Sequence, residues 1–103
     1  MSQWSSRYPY DESNVRKHAP TSGGVYRLIY KKGDKFLVFY VGQSKNLESR
    51  LLDHLAPDEP DACIRRHVRD YSCYFRWLEV SSAADRDRIE EEQIEEYNPS
   101  CNG

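Results

Sequence analysis

The sequence lacks any long hydrophobic run, and this absence excludes two classes of protein. Only 38% of its 103 residues are hydrophobic, and no stretch approaches the roughly 18 apolar residues of a transmembrane helix. The first residues, MSQWSSR, contain no apolar core of a signal peptide. We therefore expect neither secretion nor a membrane span. The length predicts one domain and leaves no room for a second.

Cysteine is also scarce, and its pattern does not indicate a disulfide framework. The three cysteines, Cys63, Cys73 and Cys101, are an odd number without a C-x-x-C spacing. We therefore expect free thiols and a cytoplasmic, reducing environment. Cys63 and His67 have a spacing that zinc sites use. Because no second pair of ligands follows, we expect a small buried cysteine beside a surface histidine instead.

The chain has little net charge, which excludes a generic polyanion binder such as a histone-like protein. Fifteen basic and 17 acidic residues give a formal charge of −2. The two signs are unevenly distributed, however. Residues 14–56 contain eight bases and three acids, whereas residues 81–103 contain two bases and seven acids. One basic face could therefore meet phosphates, while the acidic end faces water or holds a cation.

Hydrophobic periodicity predicts the element order ββααβα after an N-terminal extension, residues 1–23, with a short helix that Asp11 or Ser13 caps. Strands are predicted at 25–30, 36–41 and 73–80, and helices at 46–55, 61–71 and from Ser82 to about Tyr97. The second strand is apolar on both faces, so we expect it inside the sheet and covered on both sides. The predicted fold is α+β, a small three-stranded antiparallel sheet flanked by helices.

Two predicted helices carry polar residues beside their core faces. Arg50 and His54 border a leucine stripe, although an ordinary boundary arginine with a buried stem would give the same pattern. In the last helix, a core stripe through Ile94 and Tyr97 also contains Ala83 and Glu90. A carboxylate there costs several kcal/mol unless it is paired. Glu90 is therefore expected to pair with an arginine such as Arg50, in a structural salt bridge, or with a metal ion.

Two tripeptides, Gly24-Val25-Tyr26 and Tyr40-Val41-Gly42, resemble the paired motif that names the GIY-YIG nuclease superfamily. The resemblance continues through Gln43–Leu47 to Arg50 and His54, and closes with Glu90, Ile94, Tyr97, Pro99 and Asn102. It covers nearly all of the chain and implies a stand-alone GIY-YIG-like nuclease domain at residues 24–103. Gln43 departs from the pattern, because several members carry lysine there.

The resemblance implies metal-dependent endonuclease hydrolysis of nucleic-acid phosphodiesters, with DNA favoured over RNA and one Mg²⁺ or Mn²⁺ ion as cofactor. In this resemblance, Tyr26 activates the attacking water, Tyr40 orients water or a phosphate oxygen, and Arg50 clamps the scissile phosphate. The implied catalytic set is Tyr26, Tyr40, Arg50, His54 and Glu90, with Glu90 as the metal ligand; the supporting set is Gly24, Gly42, Ser44 and Asn102; the nucleic-acid contacts are Lys31, Lys32, Lys45 and Arg50.

Two alternatives stay open beside the active nuclease. Family members often carry a separate DNA-binding domain, which this chain does not contain. The chain could therefore be a catalytically weak nucleic-acid-binding module, or a nuclease subunit that depends on a protein partner for its grip on DNA. A phenol is also a weak base, because its unperturbed pKa is about 10. We expect a nearby arginine and a metal ion to favour the phenolate.

Overall fold

In the computed structural model, which describes residues 3–103, a four-stranded antiparallel sheet has helices on both faces. The elements are β1 (Tyr8–Pro9), α1 (Glu12–His18), β2 (Gly24–Lys32), β3 (Lys35–Ser44), α2 (Leu47–Asp53), α3 (Ala62–Asp70), β4 (Cys73–Glu79) and α4 (Ala83–Tyr97). The predicted α+β class is confirmed. The sheet has one strand more than predicted, because the two-residue β1 pairs with β4. Within residues 3–103, no helix has both the length and the apolar character needed to cross a bilayer.

The helices begin where short polar side chains satisfy the first free backbone N–H groups. Asp11 caps α1, Asn46 caps α2, Asp61 caps α3 and Ser82 caps α4, each side chain accepting a bond from an N–H up to three residues later. Of the two residues proposed to cap α1, the first is therefore correct. The cap of α4 was also predicted correctly.

The prediction that the second strand of the hairpin lies inside the sheet is wrong. The strand order is β1-β4-β2-β3, so β3 is an edge strand and β2 is the interior strand beside it. Every residue from Gly24 to Ile29 is buried, whereas Phe36 and Leu37 near the start of β3 are each 38% exposed. Helices reach β3 from both faces, α4 on one and α2 and α3 on the other. The apolar pattern reflects this partial two-sided cover and not an interior position.

A β-bulge interrupts the pairing of β2 with β3. Leu28 pairs with Tyr40 and Ile29 pairs with Val38, so Phe39 has no partner on β2. An extra residue of this kind re-aims the side chains of the bulged strand. As a result, the adjacent residues Phe39 and Tyr40 both contact the helices that follow β3. The ring of Phe39 stacks on His67 of α3, and that of Tyr40 lies 5.4 Å from the ring of His54.

The face of α4 that meets the sheet differs from the predicted stripe. Ala83 and Tyr97 are exposed, while Arg86 is buried and Glu90 is half-buried. Arg86 Nη1 donates to the carbonyls of Val80 and of the following residue, at 3.0 and 2.9 Å. These carbonyls follow β4, and no strand in residues 3–103 pairs with them. A cation that can reach them therefore occupies the buried position at this end of the helix, where an apolar residue was expected.

The expectation of free thiols is wrong for two of the three cysteines. Cys63 of α3 and Cys101 form a disulfide across a sequence separation of 38, and Cys73 is free. No local spacing could signal this pair, because it depends on where the chain runs after α4. There the Cys101 N–H donates to the Phe39 carbonyl at 2.8 Å, which places the segment after α4 along the outer edge of β3.

Candidate active site

Tyr26, His54 and Glu59 form a buried chain of hydrogen bonds at one end of the sheet. The Tyr26 hydroxyl lies 2.8 Å from His54 Nε2, and His54 Nδ1 lies 2.9 Å from Glu59 Oε2. The three residues are only 1%, 2% and 4% exposed, respectively. Tyr26 lies on β2, His54 ends α2, and Glu59 lies in the loop before α3. Three separate elements therefore bring together a hydroxyl, an imidazole and a carboxylate.

Burial sets the protonation states along this chain. It raises the pKa of Tyr26 far above the usual value, a rise that the positive charge of Arg50 only partly opposes. Burial also lowers the pKa of His54, although the hydrogen bond to Glu59 acts in the opposite direction. At neutral pH, Tyr26 is therefore a phenol and His54 is a neutral imidazole. With its N–H donated from Nδ1 to Glu59, His54 presents Nε2 as an acceptor for the Tyr26 O–H.

Glu59 is a site residue that sequence reasoning missed. It lies between two prolines in a loop, where no periodicity distinguishes a buried residue from an exposed one. Its other carboxylate oxygen, Oε1, accepts from the Asp61 N–H at 3.0 Å, and its carbonyl accepts from Arg65 Nη1 at 2.6 Å. The start of α3 therefore fixes the carboxylate that holds His54.

Tyr40 and Arg50 lie at the more open side of the buried chain. The Tyr40 ring is 6.1 Å from the Tyr26 ring, and burial raises the pKa of its hydroxyl while the charge of Arg50 lowers it. Arg50 belongs to α2, its side chain is 43% exposed, and its one ion pair in residues 3–103 is a long 3.9 Å contact with Asp53. Most of the five N–H donors of this guanidinium are therefore available to an anion.

The two motif glycines are required by close contacts. Tyr26 pairs directly with Gly42 across the two strands. A Cβ on Gly42 would overlap with the Tyr26 hydroxyl, and one on Gly24 would overlap with the Leu78 carbonyl on β4. Gly42 therefore allows Tyr26 to pack closely on β3, Gly24 allows β4 to approach β2 closely, and neither requires a left-handed backbone.

Glu90 reaches the site from the opposite face of the sheet. Its helix packs on the face of β2 that carries Arg27, whose Nε donates to Gln93 at 2.6 Å. Glu90 Oε1 accepts from Gln43 Nε2 at 3.2 Å, and the same amide donates to Asp87 Oδ1. The charge of Glu90 adds to the effect of burial in raising the pKa of both motif tyrosines. It is therefore close enough to act on both hydroxyls electrostatically.

The alternative structural salt bridge between Glu90 and Arg50 is not formed in residues 3–103. The partner of Glu90 is instead the neutral amide of Gln43, the residue that departs from the family pattern. Asp87, one turn before Glu90, is a second acidic residue beside the same amide, and it belongs to none of the predicted motifs. Both side chains offer hard oxygen ligands, which suit Mg²⁺ and Mn²⁺. The donor set around Glu90 therefore fits the divalent ion that the resemblance implies.

The remaining predicted residues divide into two groups. Ser44 Oγ bonds both backbone groups of Asn46 at the start of α2, and the Asn102 amide bonds both backbone groups of Val41, at 2.8 and 2.9 Å. Lys45 is exposed at the same end of the sheet. Lys31 and Lys32 are exposed at the other end of β2, roughly 17 and roughly 20 Å along the strand from Tyr26. The structure therefore does not bring these two lysines to the site.

A family profile described as the GIY-YIG catalytic domain matches residues 22–103. The chain belongs to the GIY-YIG family. Its sequence is 33% identical over 89 residues to UvrABC system protein C of Aquifex aeolicus, covering 86% of this chain. It is 31% identical over 94 residues to the protein of the same name from Kocuria rhizophila, covering 91% of this chain. The chain spans only 15% and 13% of the length of these two relatives.

The fold of this GIY-YIG domain is also similar to solved structures. One is the magnesium-bound GIY-YIG N-terminal endonuclease domain of UvrC from Thermotoga maritima, with a TM-score of 0.66 and 26% identity. The match covers 87% of this chain and 97% of that domain. A point mutant of the same domain, bound to its catalytic divalent cation, gives the same TM-score with 25% identity.

Proposed function

We propose that this GIY-YIG domain is a divalent-cation-dependent endonuclease that hydrolyses nucleic-acid phosphodiester bonds, with DNA as the favoured substrate. The observation that carries the proposal is the meeting of Tyr26, His54 and Arg50 with the charge of Glu90 at one end of the sheet. These groups come from β2, α2 and α4, and together they offer a proton acceptor, a positive charge and a carboxylate for a metal ion. The reaction requires a proton acceptor for water and positive charge at the phosphate.

In this proposal, Tyr26 and His54 together accept the proton of the attacking water. The buried phenol is too weak an acid to exist as phenolate at neutral pH. It can still accept a proton from water while passing its own to His54 Nε2, which lies 2.8 Å away. Glu59 then stabilises the imidazolium through Nδ1–H, as a carboxylate does for histidine in other proton-transfer sites.

Arg50 and Tyr40 are proposed to position the scissile phosphate. A guanidinium offers a planar fork that matches two phosphate oxygens, and here it is largely uncommitted to other partners. Tyr40 packs beside Tyr26 and lies close enough to Arg50 for the guanidinium to oppose the rise that burial causes in its pKa, so its hydroxyl is placed to orient a phosphate oxygen or the water. Lys45 adds an exposed positive charge at the same end of the sheet.

Glu90 is proposed to hold the divalent ion, with Asp87 as an additional acidic neighbour. When bound, an ion of this class neutralises phosphate charge and lowers the pKa of coordinated water. Gln43 keeps the two carboxylates together by donating to both. The other acids of α4 are exposed and, in residues 3–103, form no hydrogen bond with Gln43, so they are not assigned to the site.

A cleavage assay tests the proposal. The purified chain is incubated with labelled duplex, nicked, branched and single-stranded DNA, and with matching RNA, over a titration of Mg²⁺ and Mn²⁺. We expect metal-dependent cleavage of at least one DNA substrate, abolished by a chelator and by Glu90→Gln. Absence of cleavage of all substrates at any metal concentration would contradict an independently active enzyme.

One observation favours a second candidate, a nuclease domain whose affinity for DNA comes from a partner or from further protein sequence. The net charge is −2, and the exposed side of α4 is strongly acidic. In that case the chain alone binds duplex DNA weakly, and cleavage returns when it is fused to a sequence-neutral DNA-binding domain. A fusion carrying Tyr26→Phe serves as the control. We also propose that the protein acts in the cytoplasm.

A further inference from the structure

Two cysteines and one histidine converge on the α3 side of the sheet, in a cluster that the proposed reaction does not use. Cys63 and His67 are four residues apart on α3, and Cys101 comes from the segment after α4. Their sulfur and Nδ1 atoms all lie within 4.8 Å of one another, and the three residues are half-buried. These are residue types that bind soft divalent metal ions, zinc above all.

The imidazole already lies at a suitable distance from both sulfurs. His67 Nδ1 is 3.6 Å from Cys101 Sγ and 4.0 Å from Cys63 Sγ. In tetrahedral zinc sites, with bonds of about 2.3 Å to sulfur and about 2.0 Å to nitrogen, such ligand atoms stand about 3.5 Å apart. The ring is held in place by stacking on Phe39, with centroids 4.6 Å apart. Its Nδ1–H donates to the Cys63 carbonyl at 2.8 Å.

We propose that the reduced chain binds one zinc-class ion through Cys63 Sγ, His67 Nδ1 and Cys101 Sγ, with water as the fourth ligand. The disulfide and the metal complex are then alternative states of the same two sulfurs. A dithiol or phosphine reductant supplies two electrons to break the S–S bond, and each sulfur takes up one proton as the reductant is oxidised. Metal binding displaces these two protons.

His67 must change its tautomer for this site to form. Its proton moves from Nδ1 to Nε2, and the bond to the Cys63 carbonyl is exchanged for a bond to the metal. The site is separate in chemistry from Glu90, because thiolates favour zinc over magnesium whereas carboxylates favour magnesium. Either state ties α3 to the C-terminal segment, in which Asn102 holds Val41 on β3. In a reducing environment, the metal ion would therefore replace the disulfide as the link between α3 and the C-terminal segment.

Cobalt and zinc titrations of the phosphine-reduced chain test the proposal. We expect one equivalent of Co²⁺ to produce thiolate-to-cobalt charge-transfer absorption with the visible bands of tetrahedral cobalt, and Zn²⁺ to abolish both. Cys63→Ser and Cys101→Ser should each remove the charge-transfer band of the site. His67→Gln should weaken zinc binding at least about 100-fold, since even the partners of metal ligands contribute about 10–100-fold.

Cys73→Ser is the matched control. The Cys73 thiol donates to the His67 carbonyl at 3.2 Å, so it lies beside the cluster but outside the proposed ligand set, and its variant should bind cobalt normally. Metal binding by the oxidised chain equal to that by the reduced chain would overturn the proposal. So would an unchanged cobalt spectrum in Cys63→Ser.

A second measurement avoids variants that fail to fold. The reduced unmutated chain is treated with a thiol-alkylating reagent with and without zinc, and the labelled cysteines are identified by mass spectrometry. Zinc should slow alkylation of Cys63 and Cys101 at least tenfold and leave the rate at Cys73 unchanged. Equal protection of all three cysteines, or of none, would contradict the site. Excess Mg²⁺ should not reproduce the protection.

Discussion

The two sides of the candidate active site differ in how firmly the protein holds them. On the α2 side, Tyr26, His54 and Glu59 are almost completely buried and joined by two short hydrogen bonds. On the α4 side, Glu90 is half-buried and bonded to a neutral amide, that of Gln43. The first side provides a pre-organised path for a proton, and the second provides negative charge that a cation can reach. We therefore expect changes on the buried side to affect stability and activity together, and changes on the open side to affect activity alone.

Glu90→Gln should give the largest loss of activity and almost no loss of stability. The variant removes the charge proposed to hold the cation, so cleavage should fall by about 10³-fold. Because Glu90 forms no ion pair with Arg50, no buried cation is left unpaired, and the melting temperature should stay the same or rise. Glu91→Gln, on the exposed side of the same helix, is the control. A strongly destabilised Glu90→Gln protein would show instead that Glu90 is a structural residue.

Tyr26→Phe should lower both the cleavage activity and the stability of the protein. This double loss distinguishes it from Glu90→Gln, which should lower activity alone. Cleavage should fall by about 10²-fold, because the proton path from water to His54 is broken. Loss of the hydroxyl also leaves His54 Nε2 buried without a partner, which costs about 1–3 kcal/mol in the free energy of unfolding. Single-turnover cleavage and urea denaturation measure the two effects. Tyr40→Phe, at a half-buried position, should reduce cleavage while leaving unfolding nearly unchanged.

Glu59→Gln tests whether the loop carboxylate acts through His54. His54 Nδ1–H and the Asp61 N–H donate to different oxygens of Glu59, and in glutamine an NH2 group replaces one of these oxygens, so one of the two donors would face another donor. We expect a loss of about 1–2 kcal/mol in stability and about tenfold in cleavage. The variant should also shift the acidic limb of the pH–rate profile, because the imidazolium loses its partner. An unchanged profile would assign Glu59 a purely structural role.

The pH dependence of unfolding should report the buried histidine. Burial lowers the pKa of His54 in the folded chain, so the unfolded chain binds this proton more readily. The contribution of neutral His54 to the free energy of unfolding is therefore fully present above about pH 6.5. It is lost as the pH falls towards the lowered pKa of His54 in the folded chain. His54→Gln should lose less stability than the parent over this interval. Parallel curves for the two proteins would contradict the assignment.

The smallest expected effect concerns the lysines. Lys45 is exposed at the same end of the sheet as Tyr26, whereas Lys31 is roughly 17 Å from Tyr26 along β2. Lys45→Gln should weaken DNA binding and reduce the slope of log K against log salt by about 0.9, the value for one phosphate contact. Lys31→Gln should leave binding at the cleavage site unchanged. Equal effects of the two substitutions in a fluorescence titration would show that DNA also contacts the hairpin end.

Much of the site could be predicted because its residues lie in continuous motifs. The two tripeptides and the helix that follows contain Tyr26, Tyr40, Arg50 and His54 within 29 consecutive positions. The element types and their order also follow from periodicity and caps. The observed sheet contains the three predicted strands and one additional short strand, β1.

What could not be predicted depends on contacts between distant segments. Glu59 lies in a loop, where burial has no periodic signal, and the disulfide joins two cysteines 38 residues apart. The bulge at Phe39 changes the alternation on which strand predictions depend. The edge position of β3 was missed because helices cover its last residues on both faces, which produces the same apolar pattern as an interior strand.

The amide of Asn102 has a consequence for self-association. An edge strand exposes unpaired N–H and C=O groups that can recruit another chain. Here the side chain of Asn102 satisfies both groups of Val41, and the Cys101 N–H satisfies the Phe39 carbonyl, so two residues act as a partial neighbouring strand. The uncovered start of β3 begins with Lys35, a residue type that discourages edge-to-edge pairing. The segment that holds the outer edge of β3 is therefore also expected to hinder edge-to-edge association of the sheet.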